Sequence, residues 1–278
     1  MNKKQRDIIL ILGVIFILYI PTFLWLIGIW LEKDSHYSHG FLVPLISLFF
    51  VWKQRSILKP LEKKSAALVF ALGLFLYAAG FLLKFPFISA VSFIVVLMGI
   101  IIYVYGKDVM LKLMFPVLFL FFMIPLYPSD DINIDSISAD LQLFTAKYAS
   151  IAAEKLGISV ESVETKINLE GCPMVIGPVC SGITTLVTFI TLAVLFIYII
   201  ETSVYKKMFI LCLAVPIAIF ANVLRIVVII FIAQNYGCDP AMNFFHTFSG
   251  IFSFLIGVII LILAAFLIKS LKFREDIF

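Results

Sequence analysis

Cys180, Arg225 and His246 are the residues of this chain whose types could carry covalent chemistry together. A cysteine can attack a carbonyl carbon, and a histidine can take its proton or protonate the leaving amine. An arginine, permanently charged with a planar fork of donors, can stabilise a thiolate or the oxyanion of a tetrahedral intermediate. Cys180 falls in Gly177-Pro178-Val179-Cys180-Ser181-Gly182, where a polar stretch gives way to an apolar run from Ile183. Pro178 suits the opening of a helix, since its missing N–H would have no partner there anyway. The pattern therefore predicts Cys180 in a first helical turn, where orphan N–H groups and the helix dipole favour thiolate over thiol. The plainer alternative is a small apolar residue packed at a helix end.

Arg225 is the only charged side chain between Met208 and Ala233. Placing it inside a membrane span costs about 3 kcal/mol on insertion scales, so it needs a partner or a wet cavity. Asn222, three residues earlier, widens the same polar stripe. A helix immersed as far as Ala233 would put the arginine roughly 12 Å deep. The competing role is a snorkelling arginine that only stabilises the fold. His246 stands in Asn243-Phe244-Phe245-His246-Thr247-Phe248-Ser249-Gly250, just ahead of the last apolar run. A lone histidine there would ordinarily be structural; beside a cysteine and an arginine it is a candidate acid/base. Cys180 and His246 are expected at helix starts and Arg225 within its helix, so a tilt or a kink at Pro216 is expected to bring them level.

The elements that must position these residues are membrane spans. Of 278 residues, 63% are hydrophobic and 14% charged, which excludes a soluble domain, and a net charge of +4 points to no nucleic-acid partner. Apolar runs predict an all-α polytopic protein, one integral membrane domain over residues 1–278, with about eight spans at roughly 8–31, 41–52, 66–83, 88–105, 110–127, 181–200, 208–233 and 248–268. The first run is too long for the core of a signal peptide and reads as a retained span. The second is short unless His39, Gly40 and the turn at Lys53 extend it. With a cytoplasmic N-terminus, the inside segments hold fifteen of the 21 Lys and Arg residues and the outside segments five, Lys33, Lys84, Lys147, Lys155 and Lys166. That bias predicts both termini in the cytoplasm and all three candidate residues toward the outer face.

The largest outside segment is an insert at about 128–179. Ile137, Leu141, Phe144, Tyr148 and Ile151 recur at helical spacing, predicting an amphipathic helix capped by Asp135 or Ser136 and ended by Gly157, lying on the outer membrane surface or over the bundle. Residues 158–169 predict a small β-hairpin. The acids of this insert are those of a solvated face. Cys172, Cys180, Cys212 and Cys238 contain no C-x-x-C pair, so no metal and no cofactor is expected. Cys172 and Cys238 are ordinary thiols or one structural disulfide, which an outside location permits. Cys212, near the inner end of its span, is expected to pack.

Together these stretches resemble the exosortase/archaeosortase family of membrane cysteine transpeptidases. The resemblance rests on Val179-Cys180-Ser181-Gly182-Ile183, Asn222-Val223-Leu224-Arg225-Ile226, His246 ahead of the last span, and Tyr37-Ser38-His39-Gly40 before a run ending Val51-Trp52-Lys53. It implies Cys180 as nucleophile, His246 as acid/base and Arg225 as charge stabiliser, with Asn222, His39 and Ser181 in supporting, substrate-binding roles. The implied substrates are exported proteins ending in a short motif, a transmembrane helix and a basic tail. They would be cut at the outer face of the cytoplasmic membrane of a bacterium or archaeon, and passed from a thioester to an acceptor amine on a lipid or glycan, or to water. Two other classes account for part of the pattern: a transporter using Arg225 as an intramembrane contact, and a thiol oxidoreductase using Cys172, Cys180 and Cys238.

Overall fold

The computed structural model describes residues 3–32, 35, 37–58, 66–125, 134–177 and 180–275, the side chains of 3–5, 7–9, 134, 135, 246 and 247 excepted. Pro178, expected to open a helix, lies outside the described residues. The chain divides into two compact units, Met1–Asp130 and Asp131–Asp276.

The described elements of the first unit are all helical. It comprises α1 (Lys3–Leu31), a 3₁₀ turn (Ser38–Phe41) leading into α2 (Leu42–Lys53), α3 (Ala67–Leu82), α4 (Pro86–Tyr105), α5 (Lys107–Lys112) and α6 (Met114–Phe119). A lipid-facing helix can be apolar all round, so its packing is set by small residues and by polar groups that satisfy one another inside. Both devices are present. A Cβ on Gly73 of α3 would come within 2.6 Å of Val96 on α4, so these two helices approach as closely as backbones allow. Tyr19 of α1 shares a 2.7 Å hydrogen bond with Ser92 of α4, and the Tyr77 hydroxyl donates to the Leu18 carbonyl. Leu24 and Phe75 point outward at more than 60% exposure, as side chains in contact with acyl tails do.

One expected span is not a single helix. The stretch 110–127 begins inside α5, breaks at Leu113, resumes as α6 and tightens into a 3₁₀ turn over Leu120–Met123. Pro116 is the reason: it cannot donate to the Lys112 carbonyl four residues back, so the helix ends and restarts around it. Its own carbonyl accepts a bond from the Ser47 hydroxyl of α2.

The second unit contains α7 (Ile134–Lys155), strands β1 (Glu161–Val163), β2 (Lys166–Leu169) and β3 (Cys172–Val175), then α8 (Ile183–Ile199), α9 (Val204–Tyr236), α10 (Cys238–Thr247) and α11 (Ser249–Leu267). The strands form an antiparallel meander with β2 in the middle, paired Ile167 to Ser162 on one side and Met174 on the other. The expected hairpin thus gains a third strand, because Gly171 (φ +76°) turns the chain back and Pro173 is tolerated on the edge. Ile167, Leu169, Cys172 and Met174 point into one cluster with Ala146, Ala149 and Ala153 of α7 and Ile226, Ile229 and Ile230 of α9.

The packed face of α7 is not its bulky one. Ile137, Phe144, Tyr148 and Ile151 are exposed, while Ser138, Thr145, Ala146, Ala149, Ser150 and Ala153 are buried. Small side chains let α7 lie close along α9. The large apolar face is left exposed. Near the other end of α9, the C-terminal tail pairs Phe273 with Ile200, and Lys272 reaches Glu201 at 2.7 Å.

Among the described residues, four helices are long and apolar enough to cross a bilayer: Leu10–Leu31, Pro86–Tyr105, Val204–Tyr236 and Ser249–Leu267. Four shorter apolar helical stretches, Ser38–Lys53, Ala67–Leu82, Met114–Met123 and Ile183–Ile199, fall where the other four spans were expected. The chain is a multi-pass, predominantly helical membrane protein.

Candidate active site

Cys180 does not lie in a helical turn of α8. Its N–H donates to the Gly177 carbonyl at 2.8 Å, and α8 begins three residues later at Ile183. Gly182 separates the two in the left-handed conformation (φ +92°), where only glycine is at ease. A side chain there would also meet the Asn222 amide, 3.0 Å from the added Cβ. Ser181, expected to serve substrate, is 1% exposed and accepts a bond from the Ile183 N–H at 3.3 Å, closing the helix start. The dipole of α8 therefore acts on Cys180 from beyond its first turn, and its influence falls off over that distance.

What reaches Cys180 instead is α9. Asn222 donates from Nδ2 to the Cys180 carbonyl at 2.8 Å and to Thr145 Oγ1 of α7 at 3.1 Å. One turn on, the buried guanidinium of Arg225 is in electrostatic range of the Cys180 sulfur. Its face is covered by Phe245 of α10, whose ring centroid lies 5.1 Å from Cζ. No carboxylate among the described residues pairs with Arg225. A buried cation without a carboxylate gains most from a partner that becomes negative, and Cys180 is the group placed to do so.

The depth problem is solved by the chain doubling back. Arg225 lies twelve residues before Gly237, too deep for a residue at a bare helix start to reach. Gly237 (φ +93°) reverses the chain, and α10 returns along α9, carrying Phe245 to the level of Arg225. No kink at Pro216 is needed for this. The backbone of His246 follows Phe245 in the last turn of α10, so it is at a helix end rather than the helix start expected; its side chain lies outside the described residues. A disulfide between Cys172 of β3 and Cys238 anchors the beginning of α10 to the sheet. Cys180 remains a thiol, buried, and so does Cys212, which is exposed on α9 rather than packed.

His39 belongs to the first unit, where it stacks on Tyr37 with centroids 5.8 Å apart in the 3₁₀ turn before α2. Thr145 and Phe245 were not picked out from the sequence. A threonine in an amphipathic helix and one phenylalanine among 29 carry no local signal.

Residues 30–263 match the family described as transmembrane exosortase. This chain belongs to that family. No curated protein and no solved structure matches it. Exosortases are membrane cysteine transpeptidases, and this chain carries a buried free thiol at Cys180.

Proposed function

We propose that this exosortase cleaves the C-terminal sorting tail of exported proteins at the outer face of the cytoplasmic membrane and transfers them to an acceptor. Cys180 attacks the carbonyl of the scissile amide, and the electrons move onto its oxygen. Arg225 faces that developing charge in a water-poor setting, where a fixed cation acts more strongly than in solution. His246, next along α10 from the ring that covers Arg225, takes the thiol proton and gives it to the leaving amine. Collapse of the intermediate breaks the C–N bond, releases the tail with its new amine and leaves a thioester on Cys180. An amine acceptor on a lipid or glycan, or water, then takes the acyl group and returns the thiol.

The observation that carries this reading is the Cys180–Asn222–Arg225 cluster: a thiol whose backbone is held by the same helix face that presents a buried, carboxylate-free arginine. The Cys172–Cys238 disulfide supports an extracytoplasmic position, since such bonds persist in oxidising compartments. It also leaves the oxidoreductase alternative with only one thiol near Arg225. Eight spans with cytoplasmic termini make up a single integral domain.

The test uses cells expressing a secreted reporter fused to candidate C-terminal tails from the same genome. The full chain should shorten a cognate reporter, whereas Cys180→Ala should leave it uncut and His246→Ala should slow cutting by about 100-fold or more. Normal shortening by Cys180→Ala would end the proposal.

A further inference from the structure

Two polar atoms of the cluster are left with nothing to bind. A side-chain amide has two N–H donors and one acceptor oxygen. Asn222 spends both donors, on the Cys180 carbonyl and on Thr145. Among the described residues nothing donates to its Oδ1, which is buried, and one turn along α9 the buried Arg225 Nε–H finds no acceptor. The residues that carry them are 1% and 7% exposed, so bulk solvent does not serve these atoms. Most buried polar atoms in proteins have partners, and an orphan costs roughly 1–3 kcal/mol. Here an orphan acceptor and an orphan donor lie three residues apart on one helix face, about 5–6 Å apart at Cβ. The same helix face holds the Cys180 segment through the Asn222 Nδ2 bond to the Cys180 carbonyl.

An acceptor beside a donor is the pattern one residue of an antiparallel strand shows its partner, since the N–H and C=O of that residue point the same way. We infer that Asn222 Oδ1 and Arg225 Nε grip the backbone of an extended peptide. The N–H of the residue on the acyl side of the cleaved bond meets Oδ1, and its own C=O, the carbonyl that Cys180 attacks, meets Nε. The ligand class is thus a main-chain N–H and C=O, recognised without regard to the side chain between them. Proline at that position would leave Oδ1 orphaned. The inference rests on the reading of Cys180 as nucleophile, and it gives Asn222 two separable tasks: Nδ2 holds the Cys180 segment while Oδ1 takes substrate.

Two small electrophiles test it without a known sorting motif. N-acetylglycyl chloromethyl ketone presents the required N–H and C=O; its acetoxy counterpart carries an ester oxygen where the N–H would be. The full chain in detergent micelles is treated with each, Cys180 alkylation is followed by peptide mass spectrometry, and rates are divided by those with glutathione. The N–H reagent should label Cys180 at least about fivefold faster than the ester, one hydrogen bond's worth. Asn222→Ala should bring the ratio to one. A ratio of one in the unsubstituted chain would overturn the inference, whatever the variant does, and would leave Cys180 standing as nucleophile. Alkylation of Cys180 by neither reagent would overturn the nucleophile reading itself, and this inference with it.

Discussion

At the scale of single residues, the proposed function divides the work of one helix face between Arg225 and Asn222. Arg225→Lys keeps a positive charge but removes the Nε–H and the planar fork, and a flexible ammonium does not stack on Phe245 in the same way. Loss of one donor to a developing oxyanion costs about 100- to 1,000-fold in rate. Arg225→Lys should therefore slow reporter processing at least about 100-fold while the protein still reaches the membrane, which immunoblotting of reporter and enzyme together would check. Thr145 acts one step back. Thr145→Val preserves shape but leaves one Asn222 N–H buried without an acceptor. It should lower stability by about 1–3 kcal/mol, read as the midpoint of unfolding in detergent.

At the scale of elements, close approach of helices rather than greasy contact organises the chain. Gly257 of α11 faces Phe189 of α8 so tightly that a Cβ would fall 1.9 Å from the ring. Gly13 of α1 has nothing within 4 Å. Gly257→Ala should destabilise by about 1–3 kcal/mol through overpacking, whereas Gly13→Ala should be neutral or slightly stabilising because alanine is the better helix former. Thermal scans of the two purified variants separate these outcomes. The same logic explains α7. Its Ala and Ser face sits against α9 and its aromatics point away, because bulky side chains would hold Thr145 out of reach of Asn222.

At the scale of the whole molecule, the Cys172–Cys238 bond ties the strand segment to the start of α10 across 66 residues of sequence. In the chain-entropy picture a loop of that size is stabilised by about 4 kcal/mol on closure. Cys172→Ser should therefore cost stability of that order and loosen α10, and a maleimide shift assay should find Cys172 and Cys238 blocked until reduction. Orientation has its own test. Ser203 precedes α9 and Tyr236 ends it, both exposed. An impermeant maleimide applied to intact cells should label Tyr236→Cys and spare Ser203→Cys; the reverse would turn the candidate site toward the cytoplasm.

Hydropathy and spacing were enough to place the apolar helices, to single out Cys180, Asn222 and Arg225, and to mark Cys172 and Cys238 as possible partners. Those signals are local: solvent preference and helical period act on neighbours in the chain. The broken helix at Pro116 was legible in principle from the same local rules. The covered face of α7, the third strand, the return of α10 to the level of Arg225 and the grip of Asn222 on the Cys180 carbonyl were not. Each depends on which distant segment arrives opposite, and an Ala-Ser face, a glycine reversal or a spent amide proton gains meaning only from the atoms that meet it.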